Sequence, residues 1–239
     1  MNTNLRFVGM ARLVALLGAL SPFALAQAIE PAQRTRAEEL LRAHAERSRP
    51  VAVLLADYVQ RRTTPLAKEP LVSSGEFQFV REPACVLFRA TKPRVSVVRL
   101  TTTTYEVHRP QKRQLERFHL DGPELAQGLF AAVGGDSARL LESFTIVGCT
   151  QAAAPSDRVV VRLEPKDKAV AERLRELSIT FGKDAVLCGV AYRDPAGDLV
   201  EIELQNLRPD PKSPPPSTLD VDKDTTVVEH AARRPPAPK

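Results

Sequence analysis

Few residues in this 239-residue chain have the types and spacing that covalent chemistry needs. Four histidines (His44, His108, His119 and His230) fall on a helix-forming stretch, two strand-like stretches and the proline-rich end. No two of them have the spacing of metal ligands on one helix face. His108 and His119 flank the loop "RPQKRQ", where a hairpin would make them neighbours, and with polar residues at alternating positions they read as solvated surface. Ser73 and Ser74 precede Gly75 without a nearby base, and no nucleophile elbow, P-loop or dinucleotide fingerprint occurs. Cys85, Cys149 and Cys188 each sit in apolar, strand-like surroundings. Their odd number and spacing fit no metal site, which leaves buried free thiols or one bridge plus a spare. These residues predict a binding protein rather than an enzyme, with no cofactor and no metal.

One residue asks for a physical explanation. In "SSGEFQFVRE" (73–82) strand alternation puts Phe77, Phe79 and Arg81 on one face. A guanidinium beside an apolar interior is costly unless it is paired or hydrogen-bonded. Arg81 is therefore either the strand's exit into water or a latch onto polar groups. The basic loop residues Arg109, Lys112 and Arg113 have two readings as well: contacts for anionic head groups, or charge that keeps a hairpin tip soluble.

Residues 34–48 are rich in helix formers. Pro50 breaks the run, and "VAVLLADYVQRR" (51–62) predicts a resumed helix, with Val51, Leu54, Leu55, Tyr58 and Val59 at helical spacing. Strand signals follow from 75 to 120 as an antiparallel meander and resume over 143–150, 157–165, 177–182, 185–194 and 198–207, the last two joined by the turn "DPAGD". Between the two sets, Asp121 and Pro123 predict a helix that places Leu125, Leu129, Phe130 and Val133 on one face. Gly134 and Gly135 end it, and a second short helix starts at Asp136. "KDKAVAERLREL" (166–177) predicts another helix between two strands. One face of the sheet is strongly apolar, carrying Phe77, Phe79, Phe88, Val98, Leu100, Phe118, Val161, Leu163, Ile179, Phe181, Val200 and Ile202.

The first 28 residues have the charged, apolar and small-residue order of a secretory signal peptide, with cleavage near Ala26 or Ala28. Its removal takes Arg6 and Arg12 and lowers the formal charge from +5 to +3, too small a bias for a nucleic-acid partner. The apolar run is shorter than the ~20 residues of a spanning helix, so the expectation is an exported, soluble, monomeric protein. Residues 208–239 hold eight prolines among 32 residues with almost no apolar periodicity, which predicts a disordered tail. Residues 29–207 would then form one domain.

Across residues 50–207 the sequence resembles the LolA family of periplasmic lipoprotein carriers. The similarity lies in "LADYVQRRT", in "PLVSSGEFQFVREPACVLFRATKP" with its Ser-Gly start, alternating strand and arginine, in "RLEPKD", and in the closing "DPAGDLVEIELQN". The family usually has a tryptophan where this chain has Phe88, and this chain has none. The resemblance implies a mainly β fold with helices: an unclosed antiparallel β-barrel with a helical lid over an apolar cavity. It implies an acylated lipoprotein or lipid as cargo, an inner-membrane ABC transporter and an outer-membrane receptor as partners, and the periplasm as location. Phe77, Phe79, Phe88, Val98, Leu100, Phe118, Leu125, Leu129 and Phe130 would meet lipid, and Arg81 matches the family's arginine that bonds lid backbone. A lipid-responsive regulator or scaffold of the cell envelope with the same fold is the alternative.

Overall fold

The computed structural model describes residues 29–120, 124–152 and 157–230, with the side chains of Glu124 and Leu125 left out. The proposed signal peptide lies outside the described residues. Twelve strands form one sheet: β1 Val53–Thr63, β2 Leu71–Val80, β3 Cys85–Lys92, β4 Ser96–Thr101, β5 Thr104–Arg109, β6 Gln114–His119, β7 Phe144–Gln151, β8 Val159–Pro165, β9 Glu176–Phe181, β10 Leu187–Arg193, β11 Leu199–Pro209 and β12 Thr226–His230. Their order is β12-β6-β5-β4-β3-β2-β1-β11-β10-β9-β8-β7, so the sheet has two ends and is unclosed. Neighbours are antiparallel except at one edge, where β12 runs parallel to β6. The helices are α1 Pro31–Ser48, α2 Glu124–Gly134, α3 Ser137–Ser143 and the single turn α4 Lys168–Ala171.

Register sorts the two faces. Ala56, Phe77, Phe88, Val98 and Val107 are partners across five consecutive strands. The next row holds Leu54, Phe79, Val86, Leu100, Tyr105 and Phe118. These rows share the inner face, against which the helices pack. Leu41, Phe144, Val161, Leu163, Ile179 and Phe181 form its most deeply buried part, together with α1.

Three sequence expectations are corrected. Residues 51–62 are not a second helix: β1 is a strand between β2 and β11. Its even-numbered residues face inward and its odd ones outward, but both faces start apolar, so the run imitates helical spacing. Pairing on both sides then overrides a weak local preference. The helix expected over 166–177 stops after one turn, because the Arg175 amide bonds the Arg193 carbonyl at 2.8 Å and Leu177 enters the core on β9.

The third correction concerns the tail, which is ordered through His230. It runs along the outer face and is bonded there. The Pro215 carbonyl accepts from Gln78 Nε2 at 2.9 Å, and the Pro216 carbonyl accepts from Arg89. Arg113 pairs with Asp224 at 2.6 Å, Thr226 N bonds the Arg113 carbonyl at 2.8 Å, and β12 then completes the ladder on β6. Prolines lose little freedom on ordering, so backbone and charged hydrogen bonds suffice.

On the outer face a charge ladder crosses four strands in register. Glu106 is 3% exposed and accepts from Arg99 at 2.9 Å and from Arg117 at 2.7 Å, and Arg117 also reaches Glu229 on β12 at 2.7 Å. Removing the central buried charge takes the carboxylate from Arg99 and leaves Arg117 with Glu229 alone. Glu106→Gln is expected to lower stability by about 2–4 kcal/mol, whereas Glu229→Gln at the exposed rim should cost less than about 1 kcal/mol. Urea unfolding midpoints of the two variants check this.

Candidate functional site: an apolar cavity with a bonded helix junction

The inner face encloses a cavity of about 1040 Å³. Its wall joins Phe88, Val98 and Leu100 of the first meander to Val200, Ile202 and Tyr192 of the last hairpin, with Tyr58 between them and Ala126 and Leu129 of α2 across the space. Tyr58 and Phe88 meet edge to face at 5.2 Å between ring centroids, and Phe88 touches Phe77 at the same separation. Burial raises the pKa of Tyr58, Tyr105 and Tyr192, the last to about 12. The phenols therefore stay neutral and add no charge to an apolar wall. Such a space accepts an apolar ligand, and the lining side chains Arg62, Arg94, Arg109 and Lys112 can meet a polar head.

Four of the nine residues expected to meet lipid line this cavity: Phe88, Val98, Leu100 and Leu129. Phe77, Phe79 and Phe130 belong to the packed core instead, all under a tenth exposed. Phe79 in particular lies beneath the end of α2, where a Cβ on Gly134 would come within 2.8 Å of its ring. Phe118 is stacked on His230 of β12, 4.2 Å between centroids, a partner hidden by the reading of the tail as disordered. The Leu125 side chain lies outside the described residues. Tyr58 and Arg62 were missed because β1 was read as a helix; alternation from Tyr58 through Gln60 to Arg62 is the signal that finds them. Tyr192 follows from the alternation Val190–Tyr192 on β10.

At the other end of the sheet, Arg81 follows the last residue of β2, and its amide bonds the Ala52 carbonyl at 2.9 Å. Its guanidinium donates from Nε to the Val51 carbonyl at 2.9 Å, and from Nη2 to the Ser48 carbonyl at 2.6 Å and the Gly134 carbonyl at 3.0 Å. Ser48 ends α1 and Gly134 ends α2, so one cation bonds carbonyls at both helix C-termini, where the helix dipoles favour positive charge; the Ser48 carbonyl also accepts from the Val51 amide at 3.0 Å. Gly135 permits the close approach. Its φ is +74°, and a Cβ there would lie 2.8 Å from the Ser48 Cβ.

His44 ties the same helices together and is buried rather than solvated. The Ala132 carbonyl can only accept, so Nε2 of the ring donates to it at 3.1 Å, and Nδ1 then accepts from the Ser48 hydroxyl at 3.2 Å. Burial holds His44 below its ordinary value of 6.5. The other histidines take separate places. His108 is buried opposite Leu115, while His119 is exposed opposite Thr104 and contacts Glu229 at 3.1 Å, so the two are not neighbours. The three cysteines are free, and burial pushes the Cys85 and Cys149 thiols up, away from the reactive thiolate. Among the described residues no group of three or more His, Cys, Asp or Glu could hold a metal.

The helix junction has a pH dependence of known sign. With the folded His44 value lowered, the unfolded chain binds a proton below pH 6.5 that the folded chain resists. Stability is expected to fall as pH drops from 7 to 5, and His44→Gln should flatten that part of the profile. Urea unfolding across the range checks both.

No model of a known protein family matches the chain, and no curated protein matches it significantly. Among solved structures the chain is similar to a LolA superfamily protein from Nitrosomonas europaea, with 12% identity over 72% of this chain and 92% of that one at a TM-score of 0.37. It is similar to the lipoprotein LppX of Mycobacterium tuberculosis, with 9% identity over 79% and 99% of the two chains at 0.42, and to LprF of Mycobacterium bovis, with 15% identity over 77% and 98% at 0.37.

Proposed function

We propose that this chain is an exported carrier that shelters the acyl chains of a lipoprotein or related lipid between membranes. The observation that supports it is the cavity of about 1040 Å³, mainly apolar in its wall with cations such as Arg62, Arg94 and Lys112 at one end, and closed on one side by a helix that hydrogen bonds hold in place. Burying an acyl chain is worth ~0.8 kcal/mol per methylene, so a sixteen-carbon chain represents about 12 kcal/mol of water avoidance. A carrier must offset most of that and still release its cargo. In this reading the signal-like first 28 residues direct export, and an inner-membrane ABC transporter and an outer-membrane receptor load and unload the protein.

Arg81 supplies the opposing force. Ala126 and Leu129 of α2 line the cavity, while the far end of the same helix is held by Arg81 and His44. Cargo that pushes α2 outward must break those bonds, so the empty state's junction favours release. Hydrogen bonds to a charged group contribute about 1.5–3 kcal/mol.

Native mass spectrometry of the mature protein, purified without detergent from its natural compartment, tests the reading: one acylated molecule per chain is expected. A cavity that stays empty even when lipoprotein is offered would contradict it. Arg81→Leu is expected to slow lipid release about ten- to hundredfold, read as transfer from loaded protein to acceptor vesicles. Unchanged release from a folded variant would remove the latch from the mechanism.

A further inference from the structure

Register places one set of chain ends together, opposite Arg81. The β1–β2 loop, the β3–β4 turn and the β5–β6 turn all lie at the end marked by the pairs Arg62–Leu71, Ala90–Ser96 and Arg109–Gln114. The cavity reaches this end, since Arg62, Arg94, Val95 and Lys112 line it. These loops and the start of β2 carry most of the exposed large apolar side chains: Leu66 is 98% exposed, Leu71 64%, Val72 47% and Val95 43%. Exposed apolar side chains in this number at one end call for a partner.

The charges say which. Arg62 is satisfied by Asp198 at 3.1 Å, Arg109 by Glu116 at 2.8 Å and Arg113 by Asp224 at 2.6 Å. Arg94 and Lys112, on neighbouring turns at the cavity mouth, take part in none of these pairs, although Lys112 shares the field of Glu116 with Arg109. Apolar tips flanked by exposed cations outside the paired set match a lipid surface that is apolar below and anionic at head-group level.

We propose that this end of the sheet is a membrane-docking face: Leu66, Leu71 and Val95 enter the head-group region of an anionic bilayer while Arg94 and Lys112 bind lipid phosphates. The cavity mouth then opens against lipid, so an acyl chain passes between bilayer and wall without crossing water. The docking itself does not depend on the carrier reading, although its use in loading does.

Sedimentation of the mature chain with vesicles tests it. Binding is expected to vesicles of phosphatidylcholine with phosphatidylglycerol, to weaken with added salt, and to be slight with phosphatidylcholine alone. The double variant R94Q/K112Q should weaken binding about thirtyfold, and Leu66→Ser with Val95→Ser should also weaken it. All four side chains are at least partly exposed and none is part of the core, so the fold is kept. Inorganic phosphate at millimolar level should not abolish vesicle binding; full competition by it would mark a simple phosphate site and overturn the docking face. Binding indifferent to lipid charge, absent altogether, or unchanged in both variants would overturn it too. Failure to dock while the native protein still holds an acylated molecule leaves the carrier reading standing, and docking by a protein whose cavity stays empty removes the carrier reading alone.

Discussion

The guanidinium of Arg81 lies where two helices and a strand end. Helix C-termini expose carbonyls that need partners, and α1 and α2 bring theirs to one point, at Ser48 and Gly134, 2.6 and 3.0 Å from the same nitrogen. Without a cation there, two dipole ends of like sign would face each other over an apolar core. With it, α2 has a defined seat, and the seat defines the cavity, because Ala126 and Leu129 on that helix form part of its wall. The glycine pair and His44 serve the same junction: Gly135 admits the α1 backbone, and the neutral ring of His44 spans from Ser48 to the Ala132 carbonyl.

The two ends of the sheet divide the work. The Arg81 end is bonded and enclosed. The opposite end is open, apolar at Leu66, Leu71 and Val95, and cationic at Arg94 and Lys112. Between them the wall offers aromatic and aliphatic surface with neutral tyrosine hydroxyls, which suits chains of methylenes, while the lining cations Arg62, Arg94, Arg109 and Lys112 suit an anionic group at the mouth. The outer face has a different task. Its charge ladder through Glu106 and the strap that ends in β12 stiffen the meander from outside and cover the edge that β6 would otherwise present.

Much of this was legible in the residues. Period-two alternation located the strands of the meander and the late hairpin, and the placement of Phe77, Phe79 and Arg81 on one side of β2 raised the question that the helix junction answers. What escaped was decided by partners distant in sequence. β1 starts with apolar residues on both faces because Leu55 and Ala56, which point to opposite sides, are both buried, and single-chain periodicity cannot separate that from a helix. The ordering of residues 211–230 depends on Gln78, Arg89, Arg113 and Arg117, more than a hundred positions earlier in the chain. Cavity wall and packed core use the same residue types, so Phe88 and Phe77, adjacent across two strands, were indistinguishable until the helices were in place.

The central claim is that cargo in the cavity and the helix junction at Arg81 compete for the position of α2. Amide hydrogen exchange of the protein with and without a bound acylated peptide tests it most directly. The account predicts faster exchange at the end of α2, through Ala131–Gly134, when the cavity is filled, with the β8–β9 core unchanged. Loading that leaves those amides as protected as in the empty protein, or more so, would contradict it.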